Sequence, residues 1–198
     1  MNAKTPLLLL PALLACGLAA CSSRPDVRYR DPGAVETLTI DFGGTDLQRI
    51  ASDMTDSVLK SPLFAGPDRP VILVGKVENR TSEHIDTVNI TDSIRTAINR
   101  SGKARIAADA AGRAQIGEQI DYQRTGAVSP ETMKEFGRQI GADFVLYGRF
   151  TSIAKKAGNE KDVYYKFTLN LVDVETGIQE WADEVDFAKA STRASIGW

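Results

Sequence analysis

Between residues 163 and 171 an apolar side chain occupies every second position: Val163, Tyr165, Phe167, Leu169 and Leu171. A period of two belongs to a β-strand with one face buried and one open, and no helix satisfies it. Residues 144–153 and 178–187 flank this run with strand-like texture, and Glu175-Thr176-Gly177 supplies a short turn whose glycine suits a positive φ. The last third therefore predicts a C-terminal β-meander. Upstream the period becomes helical. Leu47, Ile50, Met54, Val58 and Leu59 recur at helix spacing behind Asp46, an expected N-cap, and stop before Pro62. Ile90, Ile94, Ala97 and Ile98 repeat until Ser101-Gly102 ends them. Residues 110–120 and 129–140 read as two more helices, the second with Ser129 as cap, Pro130 in its first turn and Gly141 as its stop. Val71-Ile72-Leu73-Val74 reads as a largely buried strand, residues 105–107 as a short one, and Leu38, Ile40 and Phe42 hint at another. Helices early and a meander late predict an α+β fold: a single, mostly antiparallel sheet of about four strands with helices packed on it.

Composition narrows the function. The chain has 198 residues, 42% hydrophobic and 25% charged, with a formal charge of −2. These values fit one soluble globular domain and exclude a disordered chain or a multi-span membrane protein. They lack the basic footprint of nucleic-acid binding, so no nucleic-acid partner is expected. One histidine and two cysteines leave almost no material for a catalytic metal site built from nitrogen and sulfur ligands, and no cofactor or metal is expected.

Motifs of catalysis are fragmentary. Asp41-Phe42-Gly43 spells a kinase magnesium triplet without its companion elements. Ser57-Val58-Leu59-Lys60 and Ser152-Ile153-Ala154-Lys155 match a Ser-x-x-Lys pattern, again without companions. His84 and Asp86 could form a base and its orienter, but no nucleophile accompanies them. No catalytic residue, no enzymatic activity and no small-molecule substrate are expected.

The N-terminus reads as an address. Lys4 precedes an apolar run over residues 7–15, too short for a spanning helix, and residues 1–20 are expected to be a signal peptide. Leu18-Ala19-Ala20-Cys21 has the form of a bacterial lipobox, which makes Cys21 the expected lipidation site. Acylation would anchor the mature chain without spanning the bilayer. Ser22 after that cysteine resembles outer-membrane sorting, so a lipid-anchored position at the outer membrane, facing the periplasm, is expected. Cleavage leaves a charge of −3 and no free thiol, and the domain must be stable through its core. The boundaries expected are a lipidated N-terminus and flexible tether over 21–45, a globular α+β domain over 46–188 and a tail over 189–198.

Several stretches together resemble a known family. They are Val71-Ile72-Leu73-Val74-Gly75, Asn79-Arg80-Thr81-Ser82 with His84-Ile85-Asp86, Thr91-Asp92-Ser93-Ile94-Arg95, and Gly141-Ala142-Asp143 with Leu146-Tyr147-Gly148. Lys161-Asp162-Val163-Tyr164-Tyr165-Lys166 and Thr176-Gly177 leading to Trp181-Ala182-Asp183-Glu184 complete the set, over about residues 70–187. In order and spacing they resemble the outer-membrane lipoprotein activators of bifunctional penicillin-binding proteins, the LpoB type. The resemblance implies a domain that docks on the non-catalytic regulatory domain of a class A penicillin-binding protein and stimulates glycan polymerisation and peptide cross-linking. It also implies docking residues, here Arg80, His84, Arg95, Ser129 and Tyr164. The family's better-known members carry a long proline-rich tether, whereas about 25 residues separate Cys21 from Asp46, spanning at most ~90 Å. Two competing readings are a lipoprotein subunit of an outer-membrane assembly or secretion channel, and an enzyme acting on peptidoglycan.

Overall fold

The structure, a computed structural model, describes residues 28–36, 38–134 and 140–193. The expected signal peptide, Cys21, residues 135–139 of the expected helix 129–140, and residues 194–198 of the expected tail lie outside the described residues. No described helix is long and apolar enough to cross a membrane.

Among the described residues three α-helices and five strands form in the order α1 (Gly44–Lys60), β1 (Val71–Arg80), α2 (Thr87–Ser101), β2 (Arg105–Ile106), α3 (Ala110–Tyr122), β3 (Phe144–Ala157), β4 (Glu160–Asp173) and β5 (Gln179–Thr192). The strands make one sheet ordered β2-β1-β3-β4-β5. The α+β class, the single sheet and the C-terminal meander agree with the sequence reading, while the sheet is mixed and has five strands. β1 runs parallel to both β2 and β3, and β3, β4 and β5 are antiparallel in turn. The parallel pairs arise because α2, β2 and α3 intervene between β1 and β3, a crossover too long for a hairpin.

Each helix has a local cause. In α1, Ile50, Met54 and Val58 are fully buried on one stripe. Asp46 is not the N-cap. Gly43 holds that position, and Asp46 sits within the first turn, where Oδ2 accepts the Gly43 N–H at 2.9 Å. Asp86 caps α2 by accepting the Val88 N–H, and Gly102 ends it with φ of 70°. α1 lies against α2 and β5, and α2 lies against β1. The first turn of the expected helix at 129–140 is present only as Thr132 and Met133 N–H groups donating to the Ser129 carbonyl.

The core sits between α1, α2 and one face of the sheet. Val163, Tyr165, Phe167, Leu169 and Leu171 of β4 are all buried, facing Phe150 and Leu146 of β3 and Val185 of β5. Phe150 stacks on Tyr165 with centroids 5.9 Å apart and meets Phe167 edge-on at 5.8 Å. Leu38, Ile40 and Phe42 form no strand. Instead Ile40 and Phe42 pack on the core as partly buried side chains, Phe42 edge-on to Phe150 at 5.0 Å. Beyond Ile153, β3 and β4 continue as an exposed arm closed by a turn at Gly158-Asn159, which is why residues 154–162 lack the alternation of a buried strand.

Tyr165 is completely buried, and its hydroxyl donates to the Glu83 carboxylate. Burial first, and that carboxylate second, push the phenol above its ordinary range. The shift stabilises the fold fully below the unfolded phenol value of about 10, and that stability is lost as pH climbs above it. An alkaline absorbance titration is therefore expected to show one tyrosine that ionises only as the protein unfolds, and Tyr165→Phe removes that late fraction. At Gly148, on the core side of β3, an added Cβ would collide with the Thr168 carbonyl oxygen and the Leu169 side chain. Gly148→Ala is expected to cost about 1–3 kcal/mol, read as a lower midpoint in denaturant unfolding.

Candidate functional site

Period-two alternation that buries one face of the sheet also builds the other. Because Leu146, Gly148 and Phe150 face the helices, Tyr147, Arg149, Thr151 and Ile153 point outward from β3. The same rule sends Tyr164, Lys166 and Thr168 outward from β4, beside Glu184, Asp186 and Ala188 of β5. The register aligns Arg80, Thr151, Lys166 and Asp186 as one cross-strand row, and Glu78, Arg149, Thr168 and Glu184 as another. Tyr147 and Ile153 are 43% and 60% exposed, so this face is open.

Charge on the face is polarised. On the β1 and β3 side a single carboxylate serves two guanidiniums: Glu78 Oε1 lies 2.6 Å from Arg80 Nη2, and Oε2 lies 3.7 Å from Arg149 Nε. The hydrogen bond from Arg80 holds the Glu78 carboxyl below its usual range. On the β5 side two carboxylates face one ammonium. Lys166 Nζ lies 2.8 Å from Glu184 Oε1, while Asp186 Oδ2 accepts the Tyr164 hydroxyl at 2.6 Å. The Asp186 hydrogen bond raises the Tyr164 phenol and that of Glu184 raises the Lys166 ammonium, so Tyr164 stays neutral and Lys166 charged at neutral pH. Ile153, Tyr164 and Ala188 wall a hollow of about 500 Å³ at one end of the face.

The five expected docking residues do not all meet. Arg80 and Tyr164 share the open face, two strands apart. His84 is exposed on the 81–86 loop that continues directly from Arg80. Arg95 lies on α2, where it pairs with Asp92 at 2.8 Å and with Asp109 at 3.1 Å, bracing the start of α3. The Gly112 N–H bonded to Asp109, with Arg95 beside it, holds that carboxyl low. Ser129 lies in the crossover beyond α3 and donates to Glu131. Asp86 is engaged in capping α2 rather than in orienting His84. Arg149, Tyr147 and Lys166 were not singled out from sequence, although the alternation around Phe150 and Phe167 already placed them outward. Among the described residues no cluster of His, Cys, Asp or Glu could hold a metal ion.

No curated protein matches the chain. Among solved structures, the LpoB C-terminal domain from Escherichia coli is similar at 20% identity, covering 72% of this chain and 98% of that one, with a TM-score of 0.44. The LpoB C-terminal domain from Salmonella enterica is similar at 19% identity with the same coverage and score. A PelC dodecamer from Paraburkholderia phytofirmans is similar at 18% identity, covering 64% and 74%, with a TM-score of 0.29. These likenesses carry no weight in the assignment, which rests on sequence. The family model described as peptidoglycan-synthase activator LpoB matches residues 46–187, a stretch that contains the apolar stripes of α1 and α2, all of α3 and the meander as far as Phe187. The chain belongs to the LpoB family of peptidoglycan-synthase activators.

Proposed function

We propose that this protein is an outer-membrane lipoprotein, anchored through Cys21 and facing the periplasm, that docks on the regulatory domain of a class A penicillin-binding protein and stimulates peptidoglycan synthesis. The family match over residues 46–187 carries this reading and favours it over a subunit of an outer-membrane assembly. The protein acts as a regulator, not an enzyme. Activation requires that it bind the active conformation of the synthase more tightly than the resting one, and a coupling of about 1–3 kcal/mol corresponds to roughly 5- to 150-fold.

The open sheet face is the docking surface, with Arg80, Tyr164 and, on the adjoining loop, His84 as contacts. Its polarity fixes orientation: the Arg80 and Arg149 side faces acidic groups of the partner, and the Glu184 and Asp186 side faces basic ones. Arg95 stands on α2, away from this face, and touches the same partner only if it wraps around the α2 side, while Ser129 would contribute from the crossover beyond α3. The span available is short. About 25 residues separate Cys21 from Asp46 and reach at most ~90 Å, and near the domain this stretch is bonded through Glu36, Thr45 and Asp46. The docking domain of the synthase must therefore project toward the outer membrane.

Binding of the purified synthase to charge-reversal and truncation variants tests this surface. Arg80→Glu and Tyr164→Ala are expected to weaken binding and stimulation roughly 10- to 100-fold, the range of interface hot spots. Arg95→Glu is expected to change binding less than about threefold while lowering stability, since its partners are Asp92 and Asp109. Unchanged binding in both Arg80→Glu and Tyr164→Ala would contradict the assignment.

A further inference from the structure

The 81–86 loop presents His84, yet the residue that holds it in place points inward. Within the loop, the Asn79 side-chain amide donates to the Glu83 carbonyl at 2.9 Å, and Asn79 Oδ1 accepts the Thr81 N–H at 2.9 Å. Thr81 Oγ1 accepts the Glu83 N–H at 3.1 Å. The Glu83 carboxylate then leaves the loop. One oxygen accepts the Phe42 N–H at 2.9 Å and the other accepts the Tyr165 hydroxyl, with the Ile40 carbonyl oxygen 3.3 Å from that same hydroxyl. Phe42 is itself seated on Phe150. On the other side of this strap, Lys189 Nζ donates to the Asp41 carbonyl at 2.8 Å and lies 2.5 Å from Asp46 Oδ2. One carboxylate thus joins three separate pieces: the loop after β1, the chain entering from the N-terminal side, and the aromatic core.

We propose that Glu83 is a positioning residue that clamps the 81–86 loop to the N-terminal strap at residues 40–43, so that the docking geometry of Arg80 and His84 depends on the strap being seated. The inference rests on the docking reading above. Removing the carboxylate leaves the Phe42 N–H without its acceptor and the Tyr165 hydroxyl with the longer bond to the Ile40 carbonyl alone, a cost that falls on loop and strap together. Because linkage is reciprocal, whatever unseats Phe42 loosens the loop, and a partner that grips the loop holds Phe42 down. A pull on the N-terminal segment would therefore be felt at the docking face.

Two measurements on the mature lipoprotein in detergent test this: amide hydrogen exchange of residues 81–86, and affinity for the purified class A synthase. Glu83→Ala and Phe42→Ala are each expected to speed exchange across 81–86 at least tenfold and to weaken synthase binding at least tenfold. Glu83→Gln, whose amide oxygen can still accept the Phe42 N–H, is expected to restore both to within threefold. Val185→Ala, a core change on β5 opposite Phe167 that removes none of the clamp's hydrogen bonds, serves as the control for general destabilisation and is expected to leave both readouts within threefold. Unchanged exchange in Glu83→Ala would overturn the proposal, and so would an equal loss of binding in Val185→Ala at matched loss of thermal midpoint. A wild-type chain that bound no synthase would overturn the docking reading instead, and the exchange measurement alone would then decide the clamp.

Discussion

The burial of one face of β4 is the constraint on which the rest of the molecule depends. Five alternate side chains of that strand are buried, and two of them, Tyr165 and Phe167, are large aromatics in contact with Phe150. Covering them takes two amphipathic helices, which explains why α1 and α2 lie on the same side of the sheet. Tyr165 brings a hydroxyl into that core, and a buried hydroxyl needs a partner. Glu83 meets the need, and through it the loop after β1 and the chain around Phe42 are drawn to the same point. The aromatic core thus organises segments that carry no regular structure of their own.

Alternation has a second consequence. Once every odd position from 163 to 171 faces inward, the even ones face outward, and the cross-strand register assembles them into rows. Arginines cluster toward β1 and β3, carboxylates toward β5. A face with such polarity specifies the orientation of a partner more than it supplies raw affinity. That suits an activator, whose effect depends on discriminating between two states of its target rather than on the tightest possible grip.

Much of this was legible in the sequence, where a buried surface imposed a period. β4, the turn with Gly177 at φ of 70°, and the stripes of α1 and α2 all announced themselves. The exposed halves of β3 and β5 did not, because an arm with no core beside it has no reason to alternate. Parallel pairing of β1 with β3 was hidden for a different reason: it joins segments about 70 residues apart, and nothing local encodes it. Of the candidate site, Tyr164 followed from strand phase, whereas Arg80 came from the resemblance and was expected in a loop, because nothing in the polar text after Val74 announced that β1 runs on to Arg80. Arg95 resembled them in type but meets Asp109 across a helix-to-helix contact that spacing does not reveal. Glu83 sat unmarked in a polar loop, since its partners at positions 42 and 165 are distant in the chain.

The central claim is that the open sheet face meets a class A synthase. Photo-crosslinking addresses it most directly, with a photoreactive residue placed singly at Tyr147, Ile153 or Thr168 on the open face, or at Thr96 or Asn99 on the exposed side of α2. The account predicts crosslinks to the regulatory domain of the synthase from the three sheet positions and none from the two helix positions. Crosslinks confined to α2, or none from any sheet position while the protein still stimulates the synthase, would contradict it.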